Sequence, residues 1–190
     1  INQRLQRTYE ERNIINLTCY EREKDGSKVK GEFSVFTKES TSPVFRFTER
    51  NYSDFIITPQ GAYRVEDKYF MPNLRHIPVF PDREISIGDS WKAPAELYLN
   101  NFSVILGLQL EVTYTFKAID TYKGVKVAVI GYEFPINKDL SAKQNIAPDL
   151  PKRIIGNNQG VLYWDIANQR MIAAADRYSA LFGFIMNGQP

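Results

Sequence analysis

From Leu108 to Ala118 the chain reads LQLEVTYTFKA, and within it every even-numbered position is apolar or aromatic while every odd-numbered one is polar. Side chains of a strand alternate between faces, so strict period-2 patterning over eleven residues predicts a long strand with one buried face. A helix of this sequence would scatter Leu110, Val112 and Tyr114 around its circumference. The run is followed by DTYKG and VKVAVIGYEF, which predicts a hairpin closing across Asp120–Gly124. A second hairpin is expected from GVLYWDI and RMIAAADRYSALFGF across Ala167-Asn168-Gln169. Near the start, NIINLTCYERE and VKGEFSVFTKE flank KDGSK, where Asp25-Gly26 supplies the positive φ of a tight turn.

The remaining segments fit the same class. PVFRFTER, DFIITP and GAYRVED read as short strands, and SWKAPAELYLNNFSV as an extended piece that Pro94 confines to an edge or a bend. PINKDLSAKQNIAPDLPKR reads as a polar, proline-punctuated connection. No βαβ unit, internal repeat or low-complexity tract appears. The expected fold is all-β or mainly β, an antiparallel meander forming a strongly twisted sheet, a half-barrel or a barrel-like sandwich in water. Residues 1–12 are expected as an arm or short helix, and 13–190 as a single β-rich domain, in keeping with a length of 190 residues.

Several functional classes are disfavoured by composition. Lys plus Arg number 24 and Asp plus Glu 22, with no block of one sign, so the basic stripe of a nucleic-acid binder is missing. No run approaches the length of a spanning helix. A spanning β-barrel is also disfavoured: Gly131 and Glu133 follow Val127 and Val129 on one face, and Asp176 shares a face with Ile172, Ala174 and Tyr178. No secretory leader is legible, which fits either an intracellular chain or a trimmed mature one.

Chemistry is sparse. His76 is the only histidine and Cys19 the only cysteine, which leaves no usual zinc site and no intrachain disulfide. Cys19 alternates with Ile15 and Leu17 and is expected as a buried structural thiol. A nucleophile–histidine triad would have to use His76, but it lies among Leu74, Ile77 and Val79 and is expected to pack. Carboxylate pairs for hydrolysis could be drawn from Glu111, Glu133, Asp165 and Asp176, as from any β protein of this size. Asn16, Asn51 and Asn101 match glycosylation sequons, Asn16 within a predicted strand. Trp91 and Trp164 could line a groove for sugar, peptide or lipid, although filling a core is the expected role. No catalytic residue, cofactor or metal is assigned, and binding residues stay unknown.

The stretch MPNLRHIPVFPD, Met71 to Asp82, carries three prolines within ten residues. Each fixes φ and pushes its predecessor to extended geometry, predicting an irregular crossing with apolar anchors. Gly88-Asp89 should then turn the chain so that Trp91 packs back on it. The whole pattern, MPxLRxIPxFPDRxxxxGDxW over Met71–Trp91, resembles the amino-terminal β domain of OmpA-like cell-envelope proteins from spirochaetes, and the tail GNNQGVLYWDIANQRMIAAADRYSALFGF is similar to theirs. That resemblance implies a periplasmic place in the envelope, associated with the outer membrane, and a separate module that holds peptidoglycan. No contact residue of that module maps onto these 190 positions. The expected role is a non-enzymatic interaction or spacer domain with envelope components as partners. A carrier of lipid or another apolar ligand in a half-barrel is the alternative, and an envelope hydrolase the next.

Overall fold

The structure, a computed structural model, describes residues 9–39, 41–145, 147 and 149–184. It is mainly β and antiparallel throughout, and it forms two compact units, Ile1–Pro72 and Asn73–Pro190. The span that the sequence reading treats as one domain is thus divided after Pro72. The boundary falls inside the proline-rich stretch.

The first unit is a four-stranded meander of β1 (Tyr9–Glu23), β2 (Gly26–Glu39), β3 (Arg46–Ile57) and β4 (Tyr63–Val65), in that order. Tyr9–Arg12 belong to β1, so the described part of the expected arm or helix is strand; residues 1–8 lie outside the described ones. The β1–β2 hairpin turns at Lys24-Asp25, and the positive φ expected of Asp25-Gly26 falls on Gly26 (φ +155°), the first residue of β2. Its core is small: Val29, Phe33, Phe55 and Met71 are buried, with Tyr63 and Phe70 packed against them. Cys19 corrects the sequence reading. It is exposed on β1, an edge strand that among the described residues pairs with β2 alone.

The second unit is a curled, half-barrel sheet of six strands. These are β5 (Leu74–Arg75), β6 (Ser90–Leu99), β7 (Leu106–Tyr122), β8 (Val125–Asp139), β9 (Arg153–Asp165) and β10 (Arg170–Gly183), each hydrogen-bonded to the next. In β7 the even positions from Leu106 to Phe116 are all buried, as the alternation predicts. A bulge between Phe116 and Ala118 ends the pattern, and Ile119 is left exposed. The β7–β8 turn narrows to Lys123-Gly124, with φ of +50° and +82°, the two positive values of a type I′ turn. Pro94 lies in β6 at a point that β5 does not reach, so its missing N–H breaks no ladder.

β8 and β9 are longer than the sequence suggests. β8 continues through Pro135 to Asp139, and β9 begins at Arg153. Pro135 is tolerated because β7–β8 pairing stops at Thr113 and Glu133, leaving its backbone without a β7 partner.

The inner face of the sheet is filled by the chain itself. Ala95, Val112, Tyr114, Ile154 and Leu162 are fully buried there. Leu74, Ile77, Val79, Phe80 and Ile85 of the proline-rich strap pack on the same cluster, as do Leu140, Ala147 and Leu150 from the β8–β9 connection. The Phe80 ring lies 6.1 Å from that of Trp91 and 4.8 Å from that of Trp164. Trp91 Nε1–H donates to the Val79 carbonyl at 2.7 Å, and Tyr114 O–H to the His76 carbonyl at 3.2 Å. Before the strap meets β6, Gly88 (φ +96°) donates to the Phe116 carbonyl at 2.8 Å and Phe116 N–H donates back to Asp89 at 3.0 Å. The Gly-Asp turn therefore docks on β7 and delivers Trp91 to the core.

Truncating Trp91 removes a buried indole, a ring stack and a hydrogen bond together. Trp91→Ala is expected to cost on the order of 3 kcal/mol in denaturant unfolding. Phe80→Ala, only half-buried, should cost less, and His76→Ala least. A His76→Ala loss equal to that of Trp91→Ala would contradict this ordering.

Candidate functional site

Polar chemistry in the second unit collects at two places on or beside the inner face. The first lies where the strap crosses β6. His76 sits at φ +63°, a left-handed conformation uncommon outside glycine but enriched in His. Its Nε2 is 3.7 Å from Glu96 Oε2, and the same carboxylate accepts from Tyr98 O–H at 2.9 Å and Gln109 Nε2–H at 2.6 Å. Arg75 is buried, with its guanidinium 3.8 Å above the Tyr98 ring. Burial holds the His76 pKa below the ordinary 6.5 and Arg75 adds to the effect, although Glu96 opposes it. For Glu96, burial pushes upward, but the bonds from Gln109 and Tyr98 outweigh it and the carboxyl ends below its usual range. This group clamps the strap; its carboxylate is already occupied.

The second place is a row across five strands. Trp91, Tyr114, Tyr132, Gly160 and Asp176 stand opposite one another from β6 to β10. Trp91 and Tyr114 stack at 5.2 Å and 15°. Beside them the Tyr132 ring lies across Gly160, where an added Cβ would come within 2.6 Å of the ring and 2.7 Å of Asp176 Cβ. Tyr132 O–H reaches Asp176 Oδ2 at 3.1 Å, and Asn158 Nδ2–H donates to the same oxygen at 2.7 Å. Burial, then the Asp176 charge, hold the Tyr132 hydroxyl far above the usual phenol range, so it stays a donor. Asn158 is buried and its Oδ1 has no partner among the described residues.

The other residues singled out from sequence are separated by the fold. Glu111 points outward from β7 and pairs with Lys92 at 2.7 Å. Glu133 is exposed on β8, opposite Thr113 and Gln159. Asp165 is 1 % exposed and caps the β9–β10 turn, accepting from the N–H groups of Ala167 and Asn168 at 3.1 Å each and from Asn168 Nδ2 at 2.8 Å. Those bonds, with Arg170 nearby, hold its carboxyl below the usual range. Asn16 is exposed on β1, Asn101 is exposed between β6 and β7, and Asn51 lies on β3 with its Nδ2 buried and without a partner among the described residues. Trp91 and Trp164 both belong to the packed inner face.

Open depressions also mark the surface of each unit. One, of about 350 Å³, opens where β7 and β8 part and is lined by polar groups including Gln109, Thr113, Asn137 and Lys138. Another, of about 470 Å³ in the first unit, lies beside Tyr20, Lys28, Asp54 and Arg64. No group of three or more metal-ligating side chains occurs among the described residues, and no described helix is long and apolar enough to cross a membrane. The row was half-visible in sequence: Asp176 stood out on an apolar face, but its partner Tyr132 lies 44 residues away and only register joins them.

No family model matches the chain, and no curated protein or solved structure matches it either.

Gly160→Ala is expected to destabilise the second unit by about 1–3 kcal/mol, because the added carbon must displace Tyr132 or Asp176. Tyr132→Phe, which removes only the hydroxyl, should cost about 1 kcal/mol. Chemical denaturation of both variants checks the order. A pH dependence follows from His76. Its pKa is depressed in the folded state, so its contribution is complete above the ordinary 6.5 and is lost as pH falls through that value, where unfolded chains take up the proton first. His76→Gln should lose less stability than the parent over that window; an identical pH profile would refute the assignment.

Proposed function

We propose that this chain is a non-enzymatic interaction or spacer domain of the cell envelope, on the periplasmic side and associated with the outer membrane. In this reading it belongs to an OmpA-like protein whose peptidoglycan-holding module lies outside these 190 residues. One observation carries the non-enzymatic part: the inner face of the six-stranded sheet is closed by the chain's own strap. The ionisable groups around that face serve the fold. His76 and Glu96 clamp the strap, Asp176 holds Tyr132, and Asp165 caps a turn. The envelope context is supported by the Met71–Trp91 pattern and the tail.

The curl of the second sheet supports a second reading, a carrier of lipid or another apolar ligand. Such a ligand would take the place of Ile77, Val79 and Phe80, so loading would require the strap to leave. An envelope hydrolase would need an acid and a base freed from these structural bonds.

Two measurements discriminate. In a sedimentation assay with purified cell wall, the full-length gene product is expected to pellet and this chain alone to stay in solution. Pelleting of the isolated chain, or a full-length product lacking a wall-binding module, would sink the proposal. Native mass spectrometry of the chain purified from its own cells is expected to give the bare mass, whereas a retained lipid mass would favour the carrier.

A further inference from the structure

β1 is a 15-residue edge strand whose side chains from Glu10 to Glu23 are all exposed. Ile14, Ile15, Leu17 and Tyr20 are each 45–49 % exposed, and among the described residues the strand pairs with β2 alone. Edges that must stay single are usually blunted by Lys, Pro, bulges or short length. β1 carries neither Lys nor Pro, its stretch from Asn13 to Tyr20 holds no charge, and its bulge lies towards the end, between Cys19 and Glu21.

We propose that β1 pairs antiparallel with β1 of a second copy about a two-fold axis at Asn16, joining two four-stranded sheets into one of eight strands. The sequence of the strand is complementary to its own reverse in this register. Ile15 faces the partner's Leu17 and Ile14 faces the partner's Thr18, and symmetry supplies each contact twice. Glu10 faces the partner's Arg22. Ile15 and Leu17 stand opposite Phe33 and Gly31 of β2, so the four-residue apolar cluster at the axis continues a face that already buries Phe33. One contact is unfavourable, Glu11 against the partner's Glu21, and it is eased because Lys28 holds Glu21 at 2.9 Å. Moving the axis to Leu17 would instead set Arg12 against the partner's Arg22 and Glu11 against the partner's Glu23. An axis at Ile15 would set Ile14 against the partner's Asn16 and Asn13 against the partner's Leu17, so apolar pairing and charge together favour the Asn16 register. This inference stands independently of the envelope context.

Sedimentation equilibrium of the intact chain over a concentration series is expected to show a monomer–dimer equilibrium. Leu17→Lys puts a charge at the axis and should weaken the dimer at least about tenfold. Its side chain is exposed, so the variant should keep the parental circular dichroism. Register is read by cysteine cross-linking under mild oxidation. Asn16→Cys in a Cys19→Ser background should form a disulfide-linked dimer, because facing residues bring their Cβ atoms within bonding range. The native Cys19 should not, since six residues of offset at about 3.4 Å each put it about 20 Å from its mate. A monomer at every concentration would overturn the proposal, whatever other protein the edge captures. Cross-linking through Cys19 in preference to Asn16→Cys would overturn it too.

Discussion

The indole of Trp91 is held on one side by the stack with Tyr114 and on another by Phe80, while its N–H is donated to the Val79 carbonyl of the strap. A curled sheet whose inner face carries Leu, Val, Ile and Tyr must find something to cover that face, since exposed apolar area costs roughly 25 cal/mol per Å² relative to burial. Here the cover is a proline-rich segment that, apart from the two-residue β5, forms neither helix nor regular strand. Its prolines remove backbone donors that would otherwise need partners in a dry interior. Two of its carbonyls are met by side chains of the sheet, Val79 by Trp91 and His76 by Tyr114, and the Asn73 carbonyl by the Tyr98 N–H. Strap and sheet thus satisfy each other.

The same row of residues extends this logic to the far edge. Beyond Tyr114, Tyr132 has Gly160 on the next strand, and the missing side chain is the space into which its ring lies. The hydroxyl then reaches Asp176 on β10. A carboxylate on an otherwise apolar face becomes an anchor for an edge strand, bonded also by Asn158. Core packing, glycine placement and an edge-strand acid are consequences of one register.

The alternation of Leu108 to Phe116 made β7 legible, because a strand with one covered face prints its period directly on the sequence. The strap was legible for a different reason, since proline restricts geometry whatever surrounds it. What stayed hidden depended on partners distant in sequence. Asn157, Asn158 and Gly160 look like loop residues, yet β8 and β10 flank them and supply the ladder. Cys19 follows a buried-looking alternation, but burial of an edge strand is decided by neighbours that no local pattern records. The candidate acids share only their chemical type, and the fold gives three of them separate structural duties: an ion pair for Glu111, a turn cap for Asp165 and an anchor for Asp176.

The central claim is that the strap is an integral part of the second unit's core, and the Trp91 indole N–H reports on it directly. Native-state hydrogen exchange followed by NMR measures how often its bond to Val79 opens. The account predicts that this proton exchanges only through cooperative unfolding of the unit, with the same denaturant dependence as the amides at the centre of β7. Exchange at a rate set by local opening, with those amides still protected, would mean that the strap lifts away from a sheet that stands without it.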